Sequence, residues 1–208
     1  FPQASFLGPY AYSTDAFLDT LDVPAGLTLA VMVDAKALLG CGLAPAAAVD
    51  ALFPPRDSSR VEWVRIAAHL GEIERCRPLA ARLRELGYRV GLNMMQAAGK
   101  PTGRITALAR EVASWDAVAV LYFADSFGSM DGTEVGRVVD ALAAGWNGAI
   151  GIHTHNNKSL AVRNTLAAIE RGVSFLDATV TGMGRGAGNA ELEILLCGPA
   201  SCHRHELR

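Results

Sequence analysis

The chain has 208 residues, half of them apolar and 19% charged, so it can bury one sizeable core and is too apolar to be disordered. Its formal net charge of −2, with acidic and basic residues mixed, excludes the basic stripe of a nucleic-acid-binding protein. The apolar runs fall short of the roughly 18 residues of a membrane span, and the N-terminus lacks a signal-peptide pattern. We therefore expect a cytoplasmic protein with no membrane partner.

Six short apolar runs are the predicted strands. They cover residues 27–33, 61–67, 89–94, 117–123, 149–153 and 175–180. Continuous apolar runs of this length are typical of strands buried on both faces. Their starting points lie 34, 28, 28, 32 and 26 residues apart, close to the roughly 31 residues per unit of an eight-unit barrel.

Five segments between the strands have apolar residues at i, i+3 and i+4, the pattern of helices with one buried face. They cover residues 44–52, 72–86, 103–114, 133–144 and 159–171. Asp131, with Glu134 three residues later, predicts a helix N-cap. Gly87, Gly145 and Gly172 stand where a left-handed residue commonly ends a helix.

Alternating strands and helices predict parallel strands joined by crossover helices, the α/β class. An open doubly wound sheet has the same rhythm. We favour a (β/α)8 barrel because polar residues stand at the C-terminal end of nearly every strand, and in a barrel these ends surround one mouth. They are Asp34, His69, Asn93, Gln96, Asp125, Ser126, His153, His155 and Thr181. The alternative is that each of them only caps a strand end or forms a turn.

The sharpest motif is Gly151-Ile-His-Thr-His-Asn-Asn157, which closes an apolar run. Side chains two positions apart on a strand share a face, so His153 and His155 can reach one metal ion. Two imidazoles with oxygen ligands suit Zn²⁺, Mn²⁺ or Fe²⁺ better than Ca²⁺. A bare pair of this kind can also be two histidines that hydrogen-bond to the backbone.

The second motif runs from Thr179 to Asn189, with glycines at every second position from 182 to 188, before a helix predicted from about Ala190. Glycines let the backbone approach a ligand closely, and a helix N-terminus attracts anions. A dinucleotide fingerprint is disfavoured because the GxGxxG spacing is not met. Asn189 is either an N-cap or, through its amide oxygen, a metal ligand.

Together the motifs resemble one superfamily of metal-dependent lyases. The matching segments are "ADSFG", "GIHTHNN" and "DATVTGMGRGAGNAELE" in this order, with "VRIAAHLGE" and "VGLNMMQAAGK" upstream. The superfamily contains 4-hydroxy-2-oxovalerate aldolase, hydroxymethylglutaryl-CoA lyase, and isopropylmalate and homocitrate synthases. The resemblance covers about residues 27–196, and the upstream segments look most like the aldolase branch.

The resemblance implies a role for each strand-end residue. His153 and His155 would bind a divalent ion, with Asn189 a further ligand; Mn²⁺ is expected, with Mg²⁺, Zn²⁺ or Co²⁺ as alternatives. Asp125 and His69 would be catalytic. The substrate would be bound by Ser126, which holds its carboxylate, and by Asn93, Gln96 and Thr181. The ion would stabilise an enolate, so Lys36, Lys100 and Lys158 need not form a Schiff base.

The chain departs from the superfamily pattern in one respect. No Arg-Asp-Gly-type motif of the family's first strand stands in it. By strand count the six runs match the family's third to eighth strands, so we expect a partial barrel over residues 1–196 whose first two strands are missing from this chain. Residues 197–208 have no apolar period and are predicted to be a tail.

The function predicted from the resemblance is aldol cleavage or condensation of a 2-oxo acid with an aldehyde by a homo-oligomeric enzyme. A Claisen-type acyltransferase that uses an acyl-CoA is the nearest alternative. A non-catalytic barrel that has lost the Arg-Asp pair is another. Nothing beyond the glycine-rich turns favours a nicotinamide-dependent dehydrogenase.

The four cysteines, Cys41, Cys76, Cys197 and Cys202, are scattered and form no CxxC pair, so we expect reduced thiols. The last two cluster with His203 and His205. A metal clip is conceivable there, but a disordered tail is the favoured prediction.

Overall fold

The structure is a computed structural model that describes residues 14–197. Its helices are α1 (Thr14–Leu18), α2 (Ala35–Gly40), α3 (Pro45–Asp50), α4 (Arg77–Glu85), α5 (Thr102–Ala113), α6 (Gly132–Ala143), α7 (Ala161–Ile169) and α8 (Leu192–Cys197). Its strands are β1 (Ala30–Asp34), β2 (Trp63–His69), β3 (Arg89–Met95), β4 (Val120–Asp125), β5 (Ala149–Thr154) and β6 (Phe175–Leu176). Short 3-10 turns cover Arg56–Ser58, Ile73–Cys76 and Val180–Gly182.

The six strands form one sheet in chain order. Strands β1 and β2 pair in parallel with Val31 opposite Val64. Strands β4, β5 and β6 also pair in parallel, and Ile152 of β5 lies opposite Phe123 on one side and Leu176 on the other. The predicted α/β class with six parallel strands is therefore confirmed.

The described chain divides into two compact units. The first contains the described residues up to Leu92 together with Ala117–Ala119, and the second contains Asn93–Asp116 and the described residues from Val120 onward. In the first unit the core consists of fully buried side chains of α2, β2 and α4. They are Leu38, Val64, Ile66, Leu79 and Leu83. In α4 the spacing of Leu79 and Leu83 places both on the buried face.

In the second unit the core consists of side chains of β4, β5, α5 and α6. It includes Phe123, Ile152, Leu108, Val138 and Leu142, all fully buried. Five of the six residues of β4 are buried, as expected for a parallel strand covered on both faces. A rigid strand of this kind fixes where the polar residues after it can lie.

The predicted N-terminus of α6 is confirmed. Asp131 precedes the helix in an extended conformation, and its side chain accepts a hydrogen bond from the Glu134 N–H at 2.9 Å. Gly87 and Gly172 have the positive φ predicted for them. Gly145 does not, and that prediction is wrong. A Cβ there would lie 2.5 Å from the Thr106 carbonyl oxygen, so glycine is needed for close helix packing.

Three predicted boundaries differ from the observed ones. The segment predicted as one helix over residues 72–86 divides into a 3-10 turn and α4, because Pro78 lacks an N–H and disfavours a helix continuing through it. The predicted last strand ends at Leu176 because Thr179 turns to residues 190 and 192, with backbone hydrogen bonds of 3.0 Å to each. For the same reason α8 begins at Leu192 rather than near Ala190.

Across residues 14–197, no helix is both long and apolar enough to span a bilayer. The cluster predicted as a metal clip or disordered tail, with Cys202, His203 and His205, lies outside the described residues.

Candidate metal and active site

Two imidazoles face each other at the C-terminal end of β5. His153 is the last residue but one of that strand, and His155 follows directly after it. Their Nε2 atoms lie 3.4 Å apart and their ring centroids 5.0 Å apart. The prediction that both rings lie on the same face is confirmed, while their role as metal ligands stays a prediction.

His153 is held from behind by a carboxylate. Its Nδ1 lies 2.8 Å from Asp177 Oδ2, and each of these side chains is about one fifth exposed, at 22% and 21%. A carboxylate accepts hydrogen bonds, so this contact favours the tautomer with hydrogen on Nδ1, which leaves a lone pair on Nε2. The contact also holds the ring with its Nε2 toward His155.

His155 lies beside the glycine-rich segment, and the Gly188 backbone near its ring favours the charged form. Burial, followed by the neighbouring His153 ring and the Arg185 guanidinium, holds the pKa of His155 below its usual range. His155 is therefore neutral at physiological pH, the state in which an imidazole binds a metal ion.

Asn189 lies beside His155, with which it forms an antiparallel β-bridge. Its Nδ2 donates to the Met183 carbonyl at 3.1 Å, whereas its Oδ1 is buried and has no hydrogen-bond partner among the described residues. A buried carbonyl oxygen without a partner is costly. Since α8 begins only at Leu192, the alternative that Asn189 is its N-cap is wrong.

The glycines at every second position allow Asn189 to lie this close to the histidines. A Cβ at Gly184 would lie 2.4 Å from Asn189 Nδ2, and one at Gly188 would lie 2.2 Å from the Gly182 carbonyl oxygen. Gly182, Gly186 and Gly188 also have positive φ. The segment is thus a tightly folded turn that brings Asn189 to the histidines, and it lacks the features of a dinucleotide-binding loop.

These residues fit a divalent ion. Two neutral imidazole nitrogens and one buried amide oxygen form a donor set that suits Mn²⁺, Zn²⁺ or another first-row ion. Within residues 14–197, no cluster of three or more His, Cys, Asp or Glu side chains forms a complete metal site. Among the described residues, the candidate donors are therefore two ring nitrogens and one neutral oxygen.

Asp125, predicted to be catalytic, is fully buried at the end of β4. Its Oδ1 accepts the Ser129 N–H at 2.8 Å and its Oδ2 accepts the Met130 N–H at 3.0 Å. Its backbone carbonyl accepts the His155 N–H at 3.3 Å. The carboxylate shapes the loop after β4, and its catalytic role stays a prediction.

Ser126 and Gln96 meet beside this loop. The Gln96 N–H donates to Ser126 Oγ at 3.0 Å, and Gln96 has φ of 56°, a conformation that costs free energy in a non-glycine residue. Arg185 donates to the Ser126 carbonyl at 3.1 Å. Two of the predicted substrate-binding residues are thus brought together, with an arginine that sequence reasoning did not single out.

The remaining predicted substrate-binding residues, Asn93 and Thr181, differ in exposure. Asn93 is only 4% exposed, and its Oδ1 has no hydrogen-bond partner among the described residues. Thr181 is exposed with φ of 55°, and its N–H donates to both carboxylate oxygens of Glu193, at 2.8 and 3.0 Å. A buried polar atom and a strained backbone are both compatible with a binding site.

His69, the other residue predicted to be catalytic, lies in the first unit at the end of β2. Its backbone N–H donates to the Glu72 carboxylate at 3.0 Å. Asp34, in the same unit, is the N-cap of α2 and accepts the Lys36 N–H at 2.8 Å. The alternative of a strand-end cap is therefore correct for Asp34, whereas the catalytic role of His69 stays a prediction.

Sequence reasoning also missed the role of Asp177. The sequence did contain a signal for it. If the predicted strands 149–153 and 175–180 pair in parallel, their residues lie side by side in the sheet. Once Ile152 lies opposite Leu176, the next residues along each strand, His153 and Asp177, are neighbours. Fixing that register from the sequence alone would have required knowing how the strands pair.

Residues 63–198 match the protein family described as HMGL-like. The 4-hydroxy-2-oxovalerate aldolase of Carboxydothermus hydrogenoformans is 37% identical over 133 residues, 64% of this chain and 39% of that protein. The oxaloacetate decarboxylase of Mycobacterium tuberculosis is 33% identical over 146 residues, covering 65% of this chain and 40% of that protein. The chain thus spans about two fifths of the length of these relatives.

Solved structures agree with the strand count. The N-terminal domain of a candidate aldolase from Bacteroides vulgatus superposes with a TM-score of 0.76 and 27% identity, over 94% of this chain and 63% of that one. The HMG-CoA lyase of Bacillus subtilis gives a TM-score of 0.68 over 85% of this chain and 63% of that one. At 15% identity the second likeness concerns the fold alone. The predicted partial (β/α)8 barrel is confirmed.

Proposed function

Because the chain belongs to the HMGL-like family, we propose that it is a divalent-metal-dependent lyase that breaks the bond between carbons 3 and 4 of a 2-oxo acid. In the cleavage direction a 4-hydroxy-2-oxo acid would yield a 2-oxo acid and an aldehyde. The observation that carries this proposal is the pair of imidazoles with Nε2 atoms 3.4 Å apart. The relative named 4-hydroxy-2-oxovalerate aldolase supports an aldehyde as the second product.

His153, His155 and Asn189 would hold the ion through two imidazole nitrogens and one amide oxygen. Mn²⁺ is expected, and Mg²⁺, Zn²⁺ and Co²⁺ are further candidates. When bound, the ion supplies Lewis acidity that stabilises the negative charge developing on the ketone oxygen as the bond breaks.

Ser126 is proposed to bind the substrate carboxylate. A serine hydroxyl that accepts one hydrogen bond, here from the Gln96 N–H, can still donate its own hydrogen. Arg185, which donates to the Ser126 carbonyl, brings positive charge to the same strand end and favours an anionic substrate. Asn93 and Thr181 are proposed to complete the pocket.

Cleavage requires that the 4-hydroxyl group lose its proton and that carbon 3 of the 2-oxo acid product gain one. We assign this proton transfer to His69, because an imidazole can both accept and donate a proton. Asp125 has both carboxylate oxygens on backbone N–H groups. It is therefore proposed to support the reaction through the loop that carries Ser126.

The test uses the full 208-residue chain after removal of bound metal with a chelator. Added Mn²⁺ should bind and should support release of pyruvate from 4-hydroxy-2-oxopentanoate, followed through NADH oxidation by lactate dehydrogenase. A chain that neither binds Mn²⁺ nor forms pyruvate would exclude the proposal.

A double variant, His153→Ala with His155→Ala, should lose both Mn²⁺ binding and turnover. The matched control is His203→Ala with His205→Ala, which removes two histidines at the same spacing outside the described residues and should retain both properties. Loss of Mn²⁺ binding in the control alone would move the metal site to the C-terminal cluster and contradict the proposal.

Decarboxylation of a 2-oxo dicarboxylic acid is a second candidate. The positive charge of Arg185, close enough to lower the pKa of His155, would attract a doubly charged substrate, and the relative from Mycobacterium tuberculosis is named oxaloacetate decarboxylase. Release of CO₂ from oxaloacetate faster than with Mn²⁺ alone, with no aldol cleavage, would favour this reaction.

Two other outcomes are distinguishable in the same samples. Release of free CoA thiol from acetyl-CoA and a 2-oxo acid would instead identify a Claisen-type acyltransferase. Binding of Mn²⁺ without turnover of any of these substrates would indicate a non-catalytic barrel.

A further inference from the structure

Asp177 reaches His153 from the neighbouring strand. It follows β6 directly, and its N–H donates to the Ile152 carbonyl at 3.0 Å. This backbone hydrogen bond extends the pairing of β5 with β6, in which Ile152 lies opposite Leu176. The carboxylate is thus positioned by the pairing of the two strands.

The contact between Asp177 Oδ2 and His153 Nδ1 is short, at 2.8 Å, and both side chains are about four fifths shielded from water. Charge-assisted hydrogen bonds of this length are roughly twice as strong as neutral ones. Without such a partner, a neutral histidine side chain in water favours the tautomer with hydrogen on Nε2. That tautomer would direct a hydrogen at His155 Nε2 and at any ion between the rings.

The two imidazoles have different surroundings. The His155 ring lies near the Gly188 backbone, whereas His153 Nδ1 faces the Asp177 carboxylate. With hydrogen on His153 Nδ1, its Nε2 presents a lone pair toward His155 Nε2 across a gap of 3.4 Å. A cation between the two rings would accept that lone pair.

We propose that Asp177 is the positioning residue of this site: it selects the His153 tautomer and holds the ring so that its Nε2 lone pair is ready before an ion binds. The part of this role that concerns the ion rests on the proposed function. The tautomer itself is a property of the metal-free chain. Second-shell partners of this kind typically affect metal affinity 10- to 100-fold, so the effect should be measurable.

The test uses the full chain with ¹⁵N-labelled histidines, free of metal, in neutral buffer. Long-range ¹H–¹⁵N correlation spectra should show His153 with hydrogen on Nδ1. In Asp177→Asn the amide can donate as well as accept, so the Nε2–H tautomer should become populated. Mn²⁺ affinity, measured by titration calorimetry, should fall about 10- to 100-fold.

Two further variants separate positioning from general structure. Asp177→Glu keeps the carboxylate and should recover part of the Mn²⁺ affinity lost in Asp177→Asn. Asp140→Asn removes a carboxylate from an exposed ion pair with Arg171 in the same unit and should change neither the tautomer nor the affinity.

An Nε2–H tautomer of His153 in the wild-type chain would overturn the proposal, even if Asp177→Asn failed to fold. Unchanged tautomer and Mn²⁺ affinity in a folded Asp177→Asn would also overturn it. If the wild-type chain instead bound no Mn²⁺ and cleaved no 2-oxo acid, the proposed function would fail. The tautomer in the metal-free spectra would still decide the role of Asp177.

Discussion

The ends of β4 and β5 are neighbours in the sheet, and polar residues follow the apolar core of each. At the end of β4, the Asp125 carboxylate is fully buried and accepts two backbone N–H groups of the following loop. At the end of β5, His153 is held through its Nδ1 by Asp177, and the Nε2 atoms of His153 and His155 face each other. One polar strand end builds a loop, and the other leaves two ring nitrogens directed at each other.

The difference lies in what each strand end must satisfy. The loop after β4 turns directly into α6, so its N–H groups need an acceptor and Asp125 supplies it. The segment after β5 receives its acceptors from elsewhere, namely Asp177 and Gly188. A polar residue at a strand end thus indicates where a site can form, while its neighbours decide whether the side chain remains available.

The largest expected effect comes from removing the Asp125 carboxylate at the end of β4. Asp125→Ala leaves the buried Met130 N–H and the part-buried Ser129 N–H without an acceptor, so the free energy of unfolding should fall by about 3 kcal/mol. Urea unfolding followed by circular dichroism measures it. Replacing His153 and His155 together by Ala should cost about 1 kcal/mol or less while abolishing Mn²⁺ binding. Equal losses in the free energy of unfolding in the two variants would refute the contrast between the two strand ends.

The second prediction concerns Gly188, whose backbone lies near the His155 ring. Gly188→Ala introduces a Cβ 2.2 Å from the Gly182 carbonyl oxygen at a φ of +89°, so we expect about 2 kcal/mol less stability and weaker Mn²⁺ binding. Gly186→Ala is the matched control, because it also has positive φ but its nearest neighbour is 3.7 Å away. It should cost about 1 kcal/mol and leave Mn²⁺ binding intact. Equal Mn²⁺ affinities in the two variants would show that the turn does not position the histidines.

The sequence predicts the fold well because the core determines it. Continuous apolar runs locate all six strands to within a few residues, and helical periodicity locates the longer helices α5, α6 and α7. The short helix α2 escapes this reasoning, since six residues carry too little periodicity. The prediction for Gly145 is wrong because a glycine after a helix can be needed either for a positive φ or for close packing. Only the position of the neighbouring helix distinguishes the two.

The site is less predictable because its contacts depend on register and side-chain direction. The shared face of His153 and His155 follows from the two-residue period of a strand. Their partners, Asp177 and Gly188, come from segments 22 or more residues away and require the pairing of β5 with β6. Asp125 was correctly located at a strand end, but its engagement by backbone N–H groups depends on how the following loop folds.

A smaller effect concerns a carboxylate of α6 beyond the β4 loop. Hydrogen bonds from Arg137, helped by the Gly99 N–H and opposed by burial, hold the pKa of Glu134 below its usual 4.5. A lowered pKa in the folded state means that this stabilisation is present above the unfolded value and is lost as the pH falls through the folded one. The stability difference between wild type and Glu134→Gln should therefore be constant well above pH 4.5 and shrink as the pH falls below that usual value. A constant difference across that range would argue against the ion pair.

The smallest expected change concerns a buried thiol of the first unit, a polar group that burial keeps unreactive. In the first unit Cys76 is fully buried, and burial is the main cause that raises the pKa of its thiol to about 12. The thiolate is the reactive form, so at about pH 8 a thiol reagent should leave Cys76 unmodified in the native chain while labelling the exposed Cys197. Mass spectrometry of the labelled peptides measures both sites, and urea should expose Cys76. Labelling of native Cys76 at the rate of Cys197 would mean that the first unit opens readily.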